Sequence, residues 1–266
     1  MKQFATLSTL LFSFSLLILV SSCQKDPSAD VAPEASCKLT KAYYFDETGT
    51  IADSLVYTYT NNKITRAENT DGFITLEYTN DKITKRNFYN SGSQQPDAYD
   101  VITYNNDGTI KSIKTYSQFD NQTIPAELYD FIYSGNKLLK LDLKFYNTTT
   151  SQYELYESTT YVYTGDNITQ SVTTDPSGNS FDETFTYTYD TNKNYLTRAN
   201  ALFIDFVFID GITGQTIPLI MSSNNVINIS EDGDEFPLSY KVDDKDNFSE
   251  WYLDGQIASR YLYDCK

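Results

Sequence analysis

Carboxylate side chains are the most abundant groups in this chain that could do chemistry. Two short runs near the C-terminus contain Glu231, Asp232, Asp234 and Glu235 around Gly233, and then Asp243, Asp244 and Asp246. A calcium-binding loop would need the D-x-D-x-D-G…E spacing, which does not occur here. Tight turns favour acidic residues of this kind, so we expect solvated turn residues. A catalytic carboxylate pair, as in a glycosidase, remains an alternative, because the two residues of such a pair can be distant in sequence.

The sequence contains no histidine, which excludes several classes of catalyst. Ser-His-Asp and Cys-His machinery both need histidine, and so does every histidine-ligated metal site. The sequence also has no phosphate-binding glycine loop and no Cys-x-x-Cys redox motif. We therefore predict a protein that is not an enzyme and that uses no metal and no cofactor.

The first of the three cysteines ends an N-terminal export signal. Lys2 supplies a positive charge, and an apolar stretch without charge follows over residues 4–20. The four residues Val-Ser-Ser-Cys that end at Cys23 match a lipobox, in which small residues precede a cysteine that is diacylated. The sequence predicts a lipoprotein signal peptide at 1–22, a lipid on Cys23 and a flexible tether at 23–36. A chance cysteine after an ordinary signal peptide is the alternative.

The mature chain is strongly acidic. Removing the signal peptide takes away Lys2 and no acid, so the net charge of −16 becomes −17. This balance argues against nucleic acid and against electrostatic docking on anionic lipid, since both partners need a basic face. We expect membrane attachment through the acyl chains, in the outer membrane, facing either the cell surface or the periplasm. We also expect a monomer.

A hairpin unit recurs along the rest of the chain. It reads Tyr-x-Tyr, a short polar turn, and then Ile-Thr-Lys or a similar triplet. The last residue before each turn is Tyr59, Tyr78, Tyr104, Tyr133, Tyr163, Tyr189 or Val242. Four of the turns centre on Asn-Asn, Asn-Asp, Gly-Asn or Gly-Asp, which favour two-residue type I′ or II′ hairpins. The turns at 105–109, 190–194 and 243–247 are one residue longer, which fits a loop with a left-handed residue and a bulge.

These turns all lie at one end of the predicted sheet, which we call the uniform-turn rim. The opposite end, the variable-loop rim, carries connections of unequal length. They lie at 69–72, 91–96, 120–125, 148–151 and 175–178. Loops that vary on a regular scaffold are where binding residues concentrate, so we expect any ligand site at the variable-loop rim.

Alternation along the strands indicates a sheet with one buried face. Leu55, Tyr57 and Tyr59 share one face of their strand, and valine and threonine occupy the other. About 16–18 such strands predict an all-β, up-and-down antiparallel meander over residues 37–266 as a single domain. A round barrel of that size would enclose water. We therefore expect a closed or nearly closed flattened barrel, and an open, strongly curled sheet is the alternative. Threonine, lysine and glutamate on the outer faces disfavour an outer-membrane pore.

An apolar stretch interrupts this alternation near residues 200–223. We predict an insertion that buries itself and plugs one end of the sheet. A short helix and a fully buried strand are both compatible with its pattern.

The remaining cysteines, Cys37 and Cys265, fall at the two ends of the meander. Cys37 precedes Leu-Thr-Lys and therefore begins a return strand, while Cys265 follows Tyr-Leu-Tyr-Asp and ends an outgoing strand. The two ends together make up one hairpin unit that lacks its turn. We therefore predict a disulfide between Cys37 and Cys265 in the place of that turn. An exported chain permits this oxidation. Two unrelated buried thiols are the alternative.

Two resemblances rest on these motifs. The pattern Tyr-x-Tyr-Asp-x-x-x-Asn at 187–194, and loosely at 240–247, resembles YD (RHS-like) repeats. The region from Cys37 to Cys265 more closely resembles uncharacterised Bacteroidota lipoproteins with a porin-like β-meander. The shared features are the Cys-x-Leu-Thr start, the Asn-rich turns and a late apolar insertion followed by Asn-Asn-Val. This resemblance implies an outer-membrane lipoprotein and transfers no catalytic residue.

Three functions follow as hypotheses. The first is a non-catalytic, lipid-anchored envelope module that binds a glycan, a protein or another ligand through the variable-loop rim. The second is a carrier that holds a lipid or other apolar molecule inside the sheet, which would need an apolar cavity of roughly several hundred Å³. The third is a carboxylate-dependent glycoside hydrolase.

Overall fold

The structure, a computed structural model, describes most of the predicted β-meander. It covers residues 37–265 apart from 120–121, 177, 179–181, 199–203, 205–212 and 215. The predicted signal peptide at 1–22, the predicted lipidation site Cys23, the predicted tether at 23–36 and part of the predicted insertion at 200–223 lie outside the described residues.

The described part of the chain contains sixteen β-strands and two short helices. The strands are β1 Cys37–Phe45, β2 Ile51–Thr60, β3 Lys63–Glu68, β4 Gly72–Thr79, β5 Lys82–Asn90, β6 Ala98–Tyr104, β7 Ile110–Phe119, β8 Gln122–Ser134, β9 Lys137–Asn147, β10 Gln152–Thr164, β11 Asn167–Thr174, β12 Glu183–Lys193, β13 Asn224–Glu231, β14 Asp234–Val242, β15 Phe248–Leu253 and β16 Gln256–Cys265. The helices, α1 Tyr195–Arg198 and α2 Ile217–Met221, both lie between β12 and β13.

The strands form a closed antiparallel barrel. Each strand pairs with its neighbours in sequence, and β1 pairs with β16 to close the ring. At this seam Cys37 lies opposite Cys265, and their sulfurs are bonded at 2.00 Å. The predicted all-β meander and its disulfide seam are therefore confirmed.

The turns at the uniform-turn rim have the backbone geometry that their residues predicted. Asn61 and Asn62 both have positive φ, 50° and 62°, as a type I′ turn requires. Gly135 and Gly165 have positive φ at the first turn position, 59° and 60°, which is the requirement of type II′. Turn chemistry therefore sets the register of these hairpins.

The predicted hairpin loop at 190–194 is wrong. Strand β12 continues to Lys193, which pairs with Asn224. The Asp190 carboxylate accepts the Asn225 N–H at 3.2 Å and the Asn225 Nδ2–H at 3.0 Å. Strands β12 and β13 are therefore paired neighbours that are joined by the longer segment containing α1 and α2, and not by a short turn.

The predicted variable connection at 120–125 is shorter than expected. Strand β8 already begins at Gln122, and Pro125 lies opposite Tyr116 beside a bulge. Proline is tolerated at such a position because the bulge interrupts the hydrogen-bond ladder.

The barrel interior is filled with side chains. Tyr57 is 6% exposed and Val56 is 48% exposed, so the predicted alternation of faces is confirmed. The segment between β12 and β13 adds Leu196, Ile204 and Ile217 to the same core. The burial of these side chains means that the inner wall does not face a water-filled lumen of the kind that a round barrel of this size would enclose.

Tyrosines near the uniform-turn rim bind the neighbouring strands from inside, and we call them the tyrosine ring. Among the described residues, five of their hydroxyls donate to a carbonyl of the preceding strand. These pairs are Tyr78 with Ile64, Tyr104 with Ile83, Tyr189 with Ile168, Tyr240 with Val226, and Tyr263 with Phe248. Val242, which aligns with these tyrosines in sequence, is 39% exposed, and Tyr240 makes the inward contact in its place.

Candidate ligand-binding cleft

The described residues between β12 and β13 lie inside the barrel, from the uniform-turn rim inward. The buried Asn194 amide donates to the Leu219 carbonyl at 2.7 Å and to the Ser222 carbonyl at 2.9 Å. Deeper inside, the Tyr161 hydroxyl donates to the Gly214 carbonyl at 3.3 Å. A Cβ on Gly214 would lie 2.5 Å from the Thr159 hydroxyl, so the insertion packs directly against the inner wall of β10.

The opposite end of the barrel, the variable-loop rim, has a cleft of about 230 Å³. Strands β2 to β5 and the loop before β6 form it. The described residues that line it are Leu55, Ala67, Asn69, Asp71, Gly72, Phe73, Ile74, Phe88, Tyr89, Asn90 and Asp97. They give the cleft an apolar floor and a polar mouth with two carboxylates. Small-molecule sites commonly combine these two features.

Main-chain hydrogen bonds fix the loops around this cleft. The Ser91 N–H donates to the Asp71 carbonyl at 2.7 Å, and the Asp97 N–H donates to the Phe88 carbonyl at 2.8 Å. The Asp97 carboxylate accepts the Asn90 N–H at 2.8 Å. The mouth is therefore held in shape before any ligand binds.

Gly72 allows two strands to approach closely at the edge of the cleft. A Cβ at this position would lie 2.0 Å from the backbone oxygen of Tyr89. A backbone oxygen cannot swing away as a side chain can. Glycine is therefore required here for close packing, independently of its φ.

Aromatic rings and cations reinforce the outer wall beside the cleft. The Phe73 and Tyr89 rings stack with centroids 4.3 Å apart, and the Arg66 guanidinium lies 3.4 Å from the Phe73 centroid. A matching stack joins Tyr99 and Tyr116, at 4.9 Å. The Arg66 guanidinium covers the Phe73 face that Tyr89 leaves free, so this stack supports the wall rather than offering an open platform.

A buried ion pair lies on the inner wall below the cleft. Arg86 lies opposite Asp100 in the β5–β6 ladder, and its Nε–H donates to the Asp100 carboxylate. The Arg86 side chain is 11% exposed and that of Asp100 is 0% exposed. The Arg86 guanidinium also lies 4.8 Å from the centroid of the Phe88 ring. This cation therefore packs against an aromatic ring of the cleft.

A second, smaller cavity of about 120 Å³ lies inside the barrel beside the insertion. Tyr129, Leu141, Leu143, Glu157, Thr213 and Gly214 line it. Burial and the nearby Glu183 raise the pKa of Glu157. Each of the two cavities is smaller than the roughly 300–1,000 Å³ of a typical drug-sized ligand site.

The two acidic runs lie at hairpin turns: Glu231 ends β13, Asp234 begins β14, and Asp243 begins the turn before β15. The Asp243 carboxylate accepts the N–H groups of Lys245 at 2.9 Å and Asn247 at 2.8 Å. Partial burial and the like charges of Glu183, Asp232 and Asp234 raise the pKa of Glu231. Among the described residues, no three of the His, Cys, Asp and Glu side chains are placed to hold a metal ion. The same residues include no helix that is long and apolar enough to cross a membrane.

Comparison with known proteins identifies the fold but no family. No protein-family model matches the sequence, and no curated protein matches it. The fold is that of closed β-barrels in solved structures described as porin-like. One from Bacteroides uniformis is 13% identical, with a TM-score of 0.54, and the match covers 88% of this chain and 98% of that one. One from Bacteroides vulgatus is 14% identical, with a TM-score of 0.50, and the match covers 86% and 98% of the two chains.

The similarity to RHS-like proteins is weaker. A Tc holotoxin pore from Photorhabdus luminescens is 13% identical, with a TM-score of 0.37, and the match covers 82% of this chain and 11% of that one. Similarity at this level supports no conclusion about this chain. The fold is therefore shared with the porin-like proteins of Bacteroides, and function has to be argued from the chain itself.

The cleft lies at the rim where the sequence predicts any ligand site, and the predicted connection at 69–72 contributes Asn69, Asp71 and Gly72 to its lining. That this cleft binds a ligand stays a prediction, and the other lining residues were not predicted. The cleft brings together four strands and the loop at 91–97, and their relative positions follow from register rather than from any motif. One signal was available for the ion pair. Arg86 and Asp100 both fall at inward-facing strand positions, where an unpaired charge would be costly.

Proposed function

We propose that this chain is a non-catalytic binding module of the cell envelope, anchored by a lipid on Cys23, that takes its ligand in the variable-loop cleft. The 230 Å³ cleft carries this proposal. It is open at the mouth, apolar at the floor and fixed by backbone hydrogen bonds. Such a preformed site loses little conformational freedom when a ligand binds.

The interior weighs against a carrier of apolar molecules. The described residues of the insertion and the tyrosine ring occupy space inside the barrel near the uniform-turn rim, where Ile168 and Ile217 are fully buried. The internal cavity of about 120 Å³ includes the acidic residue Glu157 in its lining. A lipid chain would need a longer and wholly apolar space.

The chemistry of the cleft weighs against a hydrolase. Its lining carboxylates are Asp71 and Asp97, and Asp97 accepts a hydrogen bond from the main chain of Asn90. A glycosidase needs a second carboxylic acid held ready to donate a proton. Asp71 is exposed and Asp97 is only half-buried, so neither lies in the apolar pocket that such an acid occupies.

Two variants of one loop region provide the test. Asn90→Trp places an indole in the cleft from an exposed strand end, whereas Gln95→Trp adds the same group to the adjacent loop outside the cleft lining. The full chain and both variants are applied to a glycan array and a peptide array. We expect a ligand that binds the unchanged chain and Gln95→Trp and loses at least tenfold in affinity with Asn90→Trp. Binding that Asn90→Trp does not weaken, or no binding on either array, would refute the proposal.

Lipid attachment at Cys23 is tested by a separate measurement. Mass spectrometry of the protein purified from its native envelope should find an N-terminal peptide that begins at Cys23 and carries acyl chains. An unmodified Cys23, or a chain that still contains residues 1–22, would contradict lipid anchoring.

A further inference from the structure

We propose that the ligand of this cleft is an uncharged sugar ring, such as the pyranose at the end of a glycan. This inference rests on the proposed function and adds the chemical class of the ligand. Three features support it, and they are the charge of the lining, the environment of the Phe88 ring and the arrangement of the polar groups.

The charge of the lining excludes anionic ligands. Among the described residues that line the cleft, Asp71 and Asp97 are acidic and none is lysine or arginine. Two arginines contact aromatic rings of the lining, but each is paired with an acid, Arg66 with Glu68 at 3.0 Å and Arg86 with Asp100. A phosphate, a sulfate or a uronic acid would meet two carboxylates without a compensating charge.

The Phe88 ring favours an uncharged ligand over a cationic one. The Arg86 guanidinium already lies 4.8 Å from the Phe88 centroid. Arg86 precedes Phe88 by two residues on the same strand face and lies further from the variable-loop rim, so it approaches the ring from the side away from the mouth. A second cation on that face would compete for the same π electrons and would be repelled by Arg86. The C–H face of a pyranose packs on such a ring without that cost.

The polar groups of the mouth are placed for hydroxyl groups. One oxygen of Asp97 is bonded to the Asn90 N–H, which fixes the carboxylate and leaves its other oxygen as an acceptor. The Asn90 side chain is exposed beside it and offers both a donor and an acceptor. The hydroxyl groups of a sugar ring both donate and accept hydrogen bonds. They can therefore donate to the fixed Asp97 carboxylate and bond to the Asn90 amide, while the ring lies over the apolar floor.

Small defined probes test the ligand class. We would titrate the full chain with the methyl glycosides of glucose, galactose, mannose and N-acetylglucosamine, and follow binding by saturation-transfer NMR. The anionic controls are the methyl glycosides of the matching uronic acids, and the cationic control is Nα-acetyl-lysine methylamide. We expect at least one neutral glycoside to bind at least tenfold more tightly than its uronic acid counterpart at low ionic strength. Asn90→Trp should abolish that binding, and Gln95→Trp should leave it unchanged.

Two conservative variants separate ligand recognition from folding. Phe88→Leu keeps an apolar floor without the ring and should weaken the neutral glycoside at least tenfold. Asp97→Asn keeps an acceptor for the Asn90 N–H and removes the charge, so it should reduce the preference for the neutral sugar over the uronic acid. Circular dichroism should show unchanged β structure in both variants.

The possible failures are distinguishable. If only the lysine derivative binds, and Asn90→Trp abolishes that binding, the ligand class is wrong and the cleft remains a binding site. Equal binding of the neutral and acidic glycosides would overturn the charge argument alone. A third outcome is that Asn90→Trp abolishes the binding of no probe and of no array ligand. In that case both the inference and the proposed function fail.

Discussion

Replacing Tyr78 by phenylalanine removes one hydroxyl from the tyrosine ring and keeps its aromatic surface. That hydroxyl donates to the Ile64 carbonyl at 2.7 Å, across the β3–β4 pair. Deleting it leaves a carbonyl oxygen on the inner wall without this donor. We expect a loss of about 0.5–1.5 kcal/mol in the free energy of unfolding at neutral pH, the usual net contribution of such a bond.

The same substitution should change how stability depends on alkaline pH. Burial, with a smaller contribution from Tyr104, raises the pKa of Tyr78 to about 12. An unfolded tyrosine ionises near pH 10, whereas Tyr78 in the barrel stays protonated to higher pH. Between about pH 10 and pH 12, ionisation therefore stabilises the unfolded state and lowers the free energy of unfolding. Each such tyrosine removes at most about 1.4 kcal/mol per pH unit across this window. The effect at Tyr78 is smaller than this limit, because solvent screens its half-buried ring.

The assay is urea unfolding followed by far-ultraviolet circular dichroism, at neutral pH and at steps between about pH 10 and pH 12. Tyr156→Phe is the matched control, because Tyr156 is 54% exposed. We expect Tyr78→Phe to be less stable than the unchanged chain at neutral pH, and to lose stability less steeply as the pH rises. An alkaline slope equal to that of Tyr156→Phe would refute the role assigned to the tyrosine ring.

Three further predictions concern the wall of the barrel. Replacing both Cys37 and Cys265 by serine removes a cross-link between residues 228 positions apart, and should lower the free energy of unfolding by at most about 5 kcal/mol. The measurement is urea unfolding of the unchanged chain with and without reductant. Identical unfolding curves would contradict a disulfide at the seam. Arg86→Met should cost about 3–5 kcal/mol in chemical denaturation, because it leaves the Asp100 carboxylate buried and unpaired. The double variant with Asp100→Leu should recover most of that loss, and a double variant no more stable than the single one would argue against the pair. Gly72→Ala should cost about 1–3 kcal/mol by thermal unfolding, because the added methyl meets a backbone oxygen, and a neutral effect would show that the strands can separate at the cleft.

The features that could be predicted from sequence are those set by neighbouring residues. Asn-Asn and Gly-Asn pairs select primed turns because they tolerate positive φ, and each turn fixes the register of the two strands beside it. Alternation then places Tyr57 inside and Val56 outside. The Cys37–Cys265 seam followed from the same repeat, because both cysteines stand where a turn is missing.

The features that could not be predicted depend on contacts distant in sequence. Asp190 reads as the first residue of a local turn, yet its carboxylate binds Asn225 on the far side of the insertion. The cleft likewise depends on how Leu55 and Phe88 are placed across four strands by the accumulated bulges and registers. No single stretch of sequence contains that information.

A crystal structure of the full chain soaked with the neutral methyl glycosides would test the central claim most directly. We predict sugar density in the variable-loop cleft, stacked on Phe88 and hydrogen-bonded to Asp97 and Asn90. Sugar density confined to the outer wall or the uniform-turn rim, with only water in the cleft, would contradict the assignment of the cleft as the binding site.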